Sequence, residues 1–244
     1  MDILFFKKEI MNDDRFLGFC GDIHGELKKL VWSLIERNKL SNGSIVVAGD
    51  FGAGFGKPGS MDVLYSSIKD KLDKNDITIY VVRGNHDNPD WFDGEHDYPR
   101  IKFLKDHEVV EIEGKTIYPI GGAVSVDQED RKSWNSEAEA YGSSKRWWWK
   151  DEIIEQKMVG LPERVDIIVS HEAPLYFDPV VVRETENLTI WTKILESRKY
   201  LDYVLNEVKC SRWFHGHYHT STSGSFGDVL YRGLDIDEIV ILYE

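Results

Sequence analysis

Cysteine is scarce here: Cys20 and Cys210 are the only two in 244 residues. Two thiols cannot build a disulfide framework for a chain of this size. Cys20 sits inside an apolar run, so a buried free thiol and a cytosolic setting are expected. Long hydrophobic runs are missing as well. No stretch approaches the roughly 20 apolar residues of a membrane span. The opening Met1-Asp2-Ile3-Leu4-Phe5-Phe6 reaches Lys7 and Lys8 without a small-residue cleavage pattern, so neither a leader nor a membrane partner is expected. Positive charge is in deficit, with 30 Lys and Arg against 43 Asp and Glu and a net charge of −13. That balance excludes a broad basic surface for extended nucleic acid. It does not exclude a phosphate in a site, because bound divalent cations reverse the sign locally. Internal repeats and low-complexity tracts are absent too.

What is present is apolar and aromatic enough to fold: 41% hydrophobic residues, with eight Trp, eleven Tyr and eleven Phe. One domain over residues 1–244 is expected. Runs rich in β-branched and aromatic residues at 15–21, 44–49, 77–83, 116–121, 165–170, 212–215, 229–234 and 238–243 predict strands. Most are continuous rather than alternating, as in strands covered on both faces. Helical stripes at 26–38, 61–72 and 195–208 lie between them. The class is α/β with mixed sheets. Residues 127–157 are polar and charged and contain Trp147-Trp148-Trp149, which reads as a lid-like insertion. The glycine-rich loop Phe51-Gly52-Ala53-Gly54-Phe55-Gly56 lacks the spacing of a P-loop.

The chemistry sits where strand-like runs end. They lead into Asp22-Ile23-His24, Gly49-Asp50, Gly84-Asn85-His86-Asp87, Ser170-His171 and Gly216-His217-Tyr218-His219. Open α/β sheets place their sites at carboxyl ends of strands. Imidazole with carboxylate and no thiolate suits Mn, Fe, Zn or Co better than calcium or a structural zinc. Gly21, Gly25, Gly49, Gly84 and Gly216 flank these residues, where the backbone must turn and approach closely.

The order D-x-H, GD, GNHD, lone His, GHxH resembles the calcineurin-like metallophosphoesterases over nearly the whole chain, Asp22 through His219. The resemblance implies two stacked mixed β-sheets flanked by helices, in four layers. It implies two divalent metal ions, manganese foremost, with iron, zinc, cobalt or nickel as alternatives. One ion would take Asp22, His24, Asp50 and His219; the other would share Asp50 and take Asn85, His171 and His217. A bridging hydroxide would attack phosphorus. His86 would contact the phosphate or protonate the leaving oxygen, and Asp87 would hold the other nitrogen of its ring.

The resemblance implies a metal-dependent phosphatase for a phosphomonoester: a phosphorylated small molecule, a nucleotide or a phosphoprotein. A phosphodiesterase or nuclease with the same metals is the first alternative. A non-catalytic binding module on the same fold is the second. The arginine that follows the second motif in the protein Ser/Thr phosphatase branch is absent here. Arg131 is the expected replacement for gripping phosphate, with Lys57, Arg83 and Arg146 behind it. The stretch around Gly121-Gly122-Ala123 through Arg131 is similar to that of small bacterial or phage-type metallophosphatases. Three adjacent tryptophans cannot share one core face. Two are expected to anchor the insertion with one half-exposed; stacking on an aromatic leaving group is the alternative. His96, His107 and His215 are expected not to be ligands, with His215 close behind the centre.

Overall fold

The computed structural model of the protein describes residues 15–177 and 187–242. The residues read above for a leader, and Tyr243 at the end of the last predicted strand, lie outside these. Eleven strands form among the described residues: β1 Phe16–Cys20, β2 Gly43–Val47, β3 Ile77–Val81, β4 Ile101–Phe103, β5 Val110–Ile112, β6 Lys115–Ile120, β7 Ile167–Ser170, β8 Arg212–His215, β9 Thr222–Phe226, β10 Val229–Gly233 and β11 Ile239–Leu242. They build a five-stranded sheet, β11-β1-β2-β3-β4, and a six-stranded sheet, β5-β6-β7-β8-β10-β9. In the first, β1 to β4 run parallel and β11 antiparallel; in the second, β6, β7, β8 and β10 run parallel between antiparallel edges. Both sheets are mixed, as expected.

The two-residue repeat of a strand decides the layering. Leu17, Phe19, Val46 and Val82 from the first sheet meet Ile117, Ile167, Val169 and Phe214 from the second in one buried cluster. Phe19 and Phe214 stack there at 3.8 Å and 6°. The opposite face of the first sheet (Cys20, Ile45, Val47, Ile79, Val81) packs on Leu27, Leu30, Val31 and Met61. Those residues belong to α1 Leu27–Trp32 and α2 Ser60–Ser66. The opposite face of the second sheet (Tyr118, Ile168, Trp213) packs on Tyr200, Leu201 and Val204 of α5 Leu188–Glu207. Helices, sheet, sheet and helix make four layers. Where a central strand is covered twice, as β1, β2, β7 and β8 largely are, its sequence is apolar without alternation.

Helix expectations held with adjustments. The 26–38 stripe forms α1 and continues as a π-helical turn, Ser33–Arg37. The 61–72 stripe breaks into α2 and α3 Lys69–Lys74. At the break, the Ser67 hydroxyl donates to the Leu64 carbonyl at 2.7 Å, competing with the helical ladder, and Ile68 turns into the core. The 195–208 helix starts earlier, at Leu188. Asn187 caps it by accepting the N–H groups of Thr189 and Ile190. Three short or polar strands, β4, β5 and β9, were not expected; each is too brief or too exposed to show a pattern. No helix among the described residues is long and apolar enough to cross a membrane. Cys20 is a buried free thiol as expected, and burial raises it well above the ordinary thiol range.

Candidate metal centre

Carboxyl ends of parallel strands from both sheets converge on one place. Asp22 and His24 follow β1, Asp50 follows β2, and Asn85 and His86 follow β3. His171 follows β7, and His217 and His219 follow β8. The Phe19–Phe214 stack fixes the relation of β1 to β8 directly beneath the two ligand-bearing turns. Those turns are tight. His24, Asp50, His217 and His219 have φ of 44°, 48°, 69° and 50°, a left-handed region that non-glycine residues occupy at a cost and that clusters at functional sites. Two glycines let the elements close up. A Cβ on Gly49 would lie 2.1 Å from His171 Nδ1, and one on Gly84 would lie 2.0 Å from the Asp50 nitrogen.

Two groups of donors form. Asp22, His24 and His219 make one, and Asp22, Asp50 and His171 the other. In the first, His219 Nε2 lies 3.0 Å from Asp22 Oδ2 and 3.1 Å from His24 Nε2. In the second, His171 Nδ1 donates to the Ala48 carbonyl at 2.8 Å, which leaves Nε2 facing inward. That Nε2 lies 2.8 Å from Asn85 Oδ1 and 3.3 Å from Asp50 Oδ1. Imidazole nitrogen, amide oxygen and carboxylate oxygen, three atoms able to hold a cation, meet there. His217 is the outlier. Its ring packs 4.9 Å from that of His171, but its Nε2 is nearest to Glu172 Oε2, at 4.0 Å, and it joins neither group.

The electrostatics are those of a cluster short of cations. Burial, with Asp22 and Asp87 close by, pushes Asp50 up to about 7 against the pull of His171. Burial also works on Asp22, yet His171 and hydrogen bonds from His219 and the His217 N–H hold it at about 2. Burial pushes His217 and His215 down to about 4. His86 falls to about 3, through burial first and then through Arg131 and His24. Buried carboxylates with imidazole and amide oxygen, and no sulfur, fit divalent transition metals.

Several expectations are corrected. Asp87 does not hold the His86 ring. Its Oδ1 accepts the N–H groups of Gly52 and Ala53 at 2.7 and 2.8 Å, and its Oδ2 accepts those of Gly84 and Phe51 at 2.7 and 3.3 Å. It organises the glycine-rich loop instead. Arg131 does not reach the open site. It is 1% exposed and donates to the Trp147 carbonyl (2.5 Å), the Asn85 carbonyl (3.1 Å) and Ser125 Oγ. Its donors are consumed behind Asn85. Arg83 is likewise buried, on Asp106 and the carbonyls of residues 151–153. Of the cations considered, Lys57 alone lines the cleft beside His86.

The insertion forms α4 Gln128–Ala140 and a following loop. All three tryptophans are half-buried, where two were expected to anchor the insertion and one to be half-exposed. Trp147 meets Trp134, Trp148 lies under the Lys132 ammonium, and Trp149 reaches Phe55 at 5.9 Å.

Sequence reasoning missed Glu152 and Glu172, both buried. Glu152 receives the Ser125 hydroxyl at 2.8 Å, and Ser125 in turn receives Asn85 Nδ2 at 2.9 Å. Burial raises Glu152, while Arg131 and Ser125 draw it back. Glu172 directly follows a ligand and takes the Tyr218 hydroxyl. Adjacency to His171 was its one legible signal. His215 lies fully buried behind the centre, with Nδ1 3.2 Å from the Gly216 carbonyl. Two cavities flank His86. The smaller, about 330 Å³, is lined by Asp50, Asn85, Ser125, His217 and His219. The larger, about 700 Å³, is lined by the glycine-rich loop with Phe55, Lys57 and Trp91.

Strand-end carboxylates and imidazoles on a pair of stacked mixed sheets make a candidate metal site, and the family match makes the protein a metal-dependent hydrolase of phosphoesters. The chain belongs to the calcineurin-like phosphoesterases, whose family profile matches residues 17–221. No curated protein matches it significantly. Among solved structures it is similar to the phosphopantetheinyl hydrolase of Mycobacterium tuberculosis, at 15% identity and a TM-score of 0.47, over 93% of this chain and 92% of that one. It is also similar to a putative 5'-nucleotidase from Staphylococcus aureus, at 10% identity and a TM-score of 0.41, over 93% of this chain and 50% of that one. A 5'-nucleotidase precursor from Thermus thermophilus is similar at 12% identity and a TM-score of 0.40, again over 93% and 50%. The chain thus spans half the length of the two nucleotidases.

Proposed function

We propose that the protein is a phosphomonoesterase working with two divalent cations, manganese foremost, held by Asp22, His24, Asp50, Asn85, His171, His217 and His219. The supporting observation is Asp50. Its Oδ1 faces His171 Nε2 at 3.3 Å within its own donor group and its Oδ2 faces His24 Nδ1 of the other at 3.9 Å, while Asp22 is the carboxylate that belongs to both groups. When bound, such cations supply a nucleophile from water at neutral pH and neutralise phosphoryl oxygens. The chain's own residues do the rest. Asp22 and Asp50 hold the negative charge that binds the cations, and burial keeps water from competing for it.

His86 lines both cavities, so its ring stands between a phosphoryl group in the smaller and a leaving group in the larger. From there it can donate a hydrogen bond to the phosphoryl or leaving oxygen. Phe55 and Trp91 give the larger cavity aromatic walls suited to a phosphorylated small molecule.

The test compares p-nitrophenyl phosphate with its bis ester on protein supplied with Mn²⁺. Faster turnover of the monoester is expected. Preference for the bis ester would shift the reading to a diesterase, and no turnover of either with metal bound would support a binding module.

A further inference from the structure

Asn85 is the proposed ligand whose useful atom can be exchanged for a useless one. Its amide carries an oxygen on one side and NH₂ on the other, and only the oxygen binds a cation. In the structure Nδ2 lies 2.9 Å from Ser125 Oγ, and Oδ1 lies 2.8 Å from His171 Nε2, toward the centre. A half-turn of the amide would reverse the two.

Donor and acceptor counting shows what prevents that turn. A serine hydroxyl has one proton and two lone pairs. Glu152 Oε2, 2.8 Å from Ser125 Oγ, takes the proton, while Glu152 Oε1 accepts the Ser125 backbone N–H at 3.1 Å. Arg131 Nη1, which can only donate, occupies one lone pair. The last lone pair faces Asn85 and must receive a donor. Asn85, Ser125, Arg131 and Glu152 are each 2% exposed or less, so solvent offers no alternative partner.

We infer that Ser125, Arg131 and Glu152 are positioning residues that lock the Asn85 amide with its oxygen toward the metal centre. The inference rests on the proposal that Asn85 is a metal ligand. It gives the insertion a definite task. Glu152 and Arg131 both come from residues 127–157, so part of this segment braces a ligand from behind, while its Asp127 and Ser144 line the two cavities. The Arg131 guanidinium fits the same task, since its third donor holds the Asn85 main-chain carbonyl at 3.1 Å.

Glu152→Gln tests the polarity without removing bulk. If the new amide keeps its oxygen on the Ser125 N–H, its NH₂ faces Ser125 Oγ. Both lone pairs are then filled, and the hydroxyl proton must point at Asn85, which turns its oxygen away from the centre. The opposite placement sets NH₂ against the Ser125 N–H. Calorimetric titration of Mn²⁺ into the metal-stripped full chain should show one equivalent unchanged. The other should weaken by roughly 10–100-fold, the usual effect of losing a partner that orients a ligand.

The double variant Asn85→Asp/Glu152→Gln should recover that affinity, because a carboxylate presents an acceptor on both sides. Glu152 as mere support for the fold would weaken both equivalents, lower Tm and resist this rescue; that result overturns the inference. So does unchanged Mn²⁺ affinity in Glu152→Gln. If Glu152→Gln does not fold, Ser125→Ala must show the same selective loss and the same rescue by Asn85→Asp. Asn85→Ala separates the two levels. If it retains both equivalents, the ligand assignment falls and takes the inference with it. If it loses one while Glu152→Gln loses none, the inference alone falls.

Discussion

A carboxylate proposed to serve two cations cannot be replaced by its amide, which has a single accepting oxygen. Asp50 is therefore the residue whose loss should cost most. Its φ of 48° is a conformation that Asn also adopts readily, so Asp50→Asn should keep its circular dichroism spectrum. Metal analysis should find fewer than two equivalents, with activity almost abolished. Two tightly held equivalents in the variant would end the bridging role. His86 should separate from it cleanly. His86→Ala should keep its metal while losing roughly 10²–10⁴-fold in kcat toward alkyl phosphates, if the ring delivers a proton to the leaving oxygen. Nitrophenyl esters, whose leaving group departs unaided, should lose less. An equal loss for both ester types would assign His86 to holding the phosphate. At this scale the sequence pointed to Asp22, His24, Asp50, His171 and His219, which the fold gathers into donor groups, whereas His217 joins neither. The sequence was not legible for Asp87, whose partners are main-chain N–H groups, or for Arg131, which divides between main-chain carbonyls and the side chains of Ser125 and Glu152.

Among the elements, the glycine-rich loop after β2 depends on a residue after β3. Asp87 accepts four main-chain N–H groups, from Phe51, Gly52, Ala53 and Gly84. Asp87→Asn would turn an NH₂ toward two of those donors. Leaving buried groups unpaired costs about 1–3 kcal/mol each. For a chain of this size, about 1 kcal/mol lowers Tm by roughly 2–4 °C. Thermal melting should show a clear fall, and an unchanged Tm would contradict the role. The helices were read from periodicity and mostly found. The exceptions have local causes: a serine hydroxyl breaking 61–72 into two, and an asparagine cap starting the last helix well before its clearest stripe.

For the molecule as a whole, two buried carboxylates at the meeting of two sheets couple metal to stability. Cations that bind only the folded state add about 4.1 kcal/mol at a thousand times Kd. By the same size scaling, Tm should then rise by roughly 8–16 °C when Mn²⁺ is restored to chelator-treated protein. Melting curves with chelator and with excess Mn²⁺ check this. Superimposable curves would mean that Asp22 and Asp50 do not need a cation. The net charge of −13 becomes less negative once cations are held, as a protein receiving anionic esters requires.

Local sequence determined most of the central strands, because residues covered on both faces must be apolar; the short or exposed β4, β5 and β9 carried no such signal. It also determined the order of the donors, which sit one to four residues past the ends of parallel strands. Tertiary structure decided which atoms face which. The pairing of Asp50 with both His171 and His24, the diversion of Arg131 to Ser125 and Asn85, and the arrival of Glu152 behind the centre join residues far apart in the chain. Each depends on how the two sheets stack and on where buried main-chain donors and acceptors need partners. Those demands arise only once the chain has closed on itself.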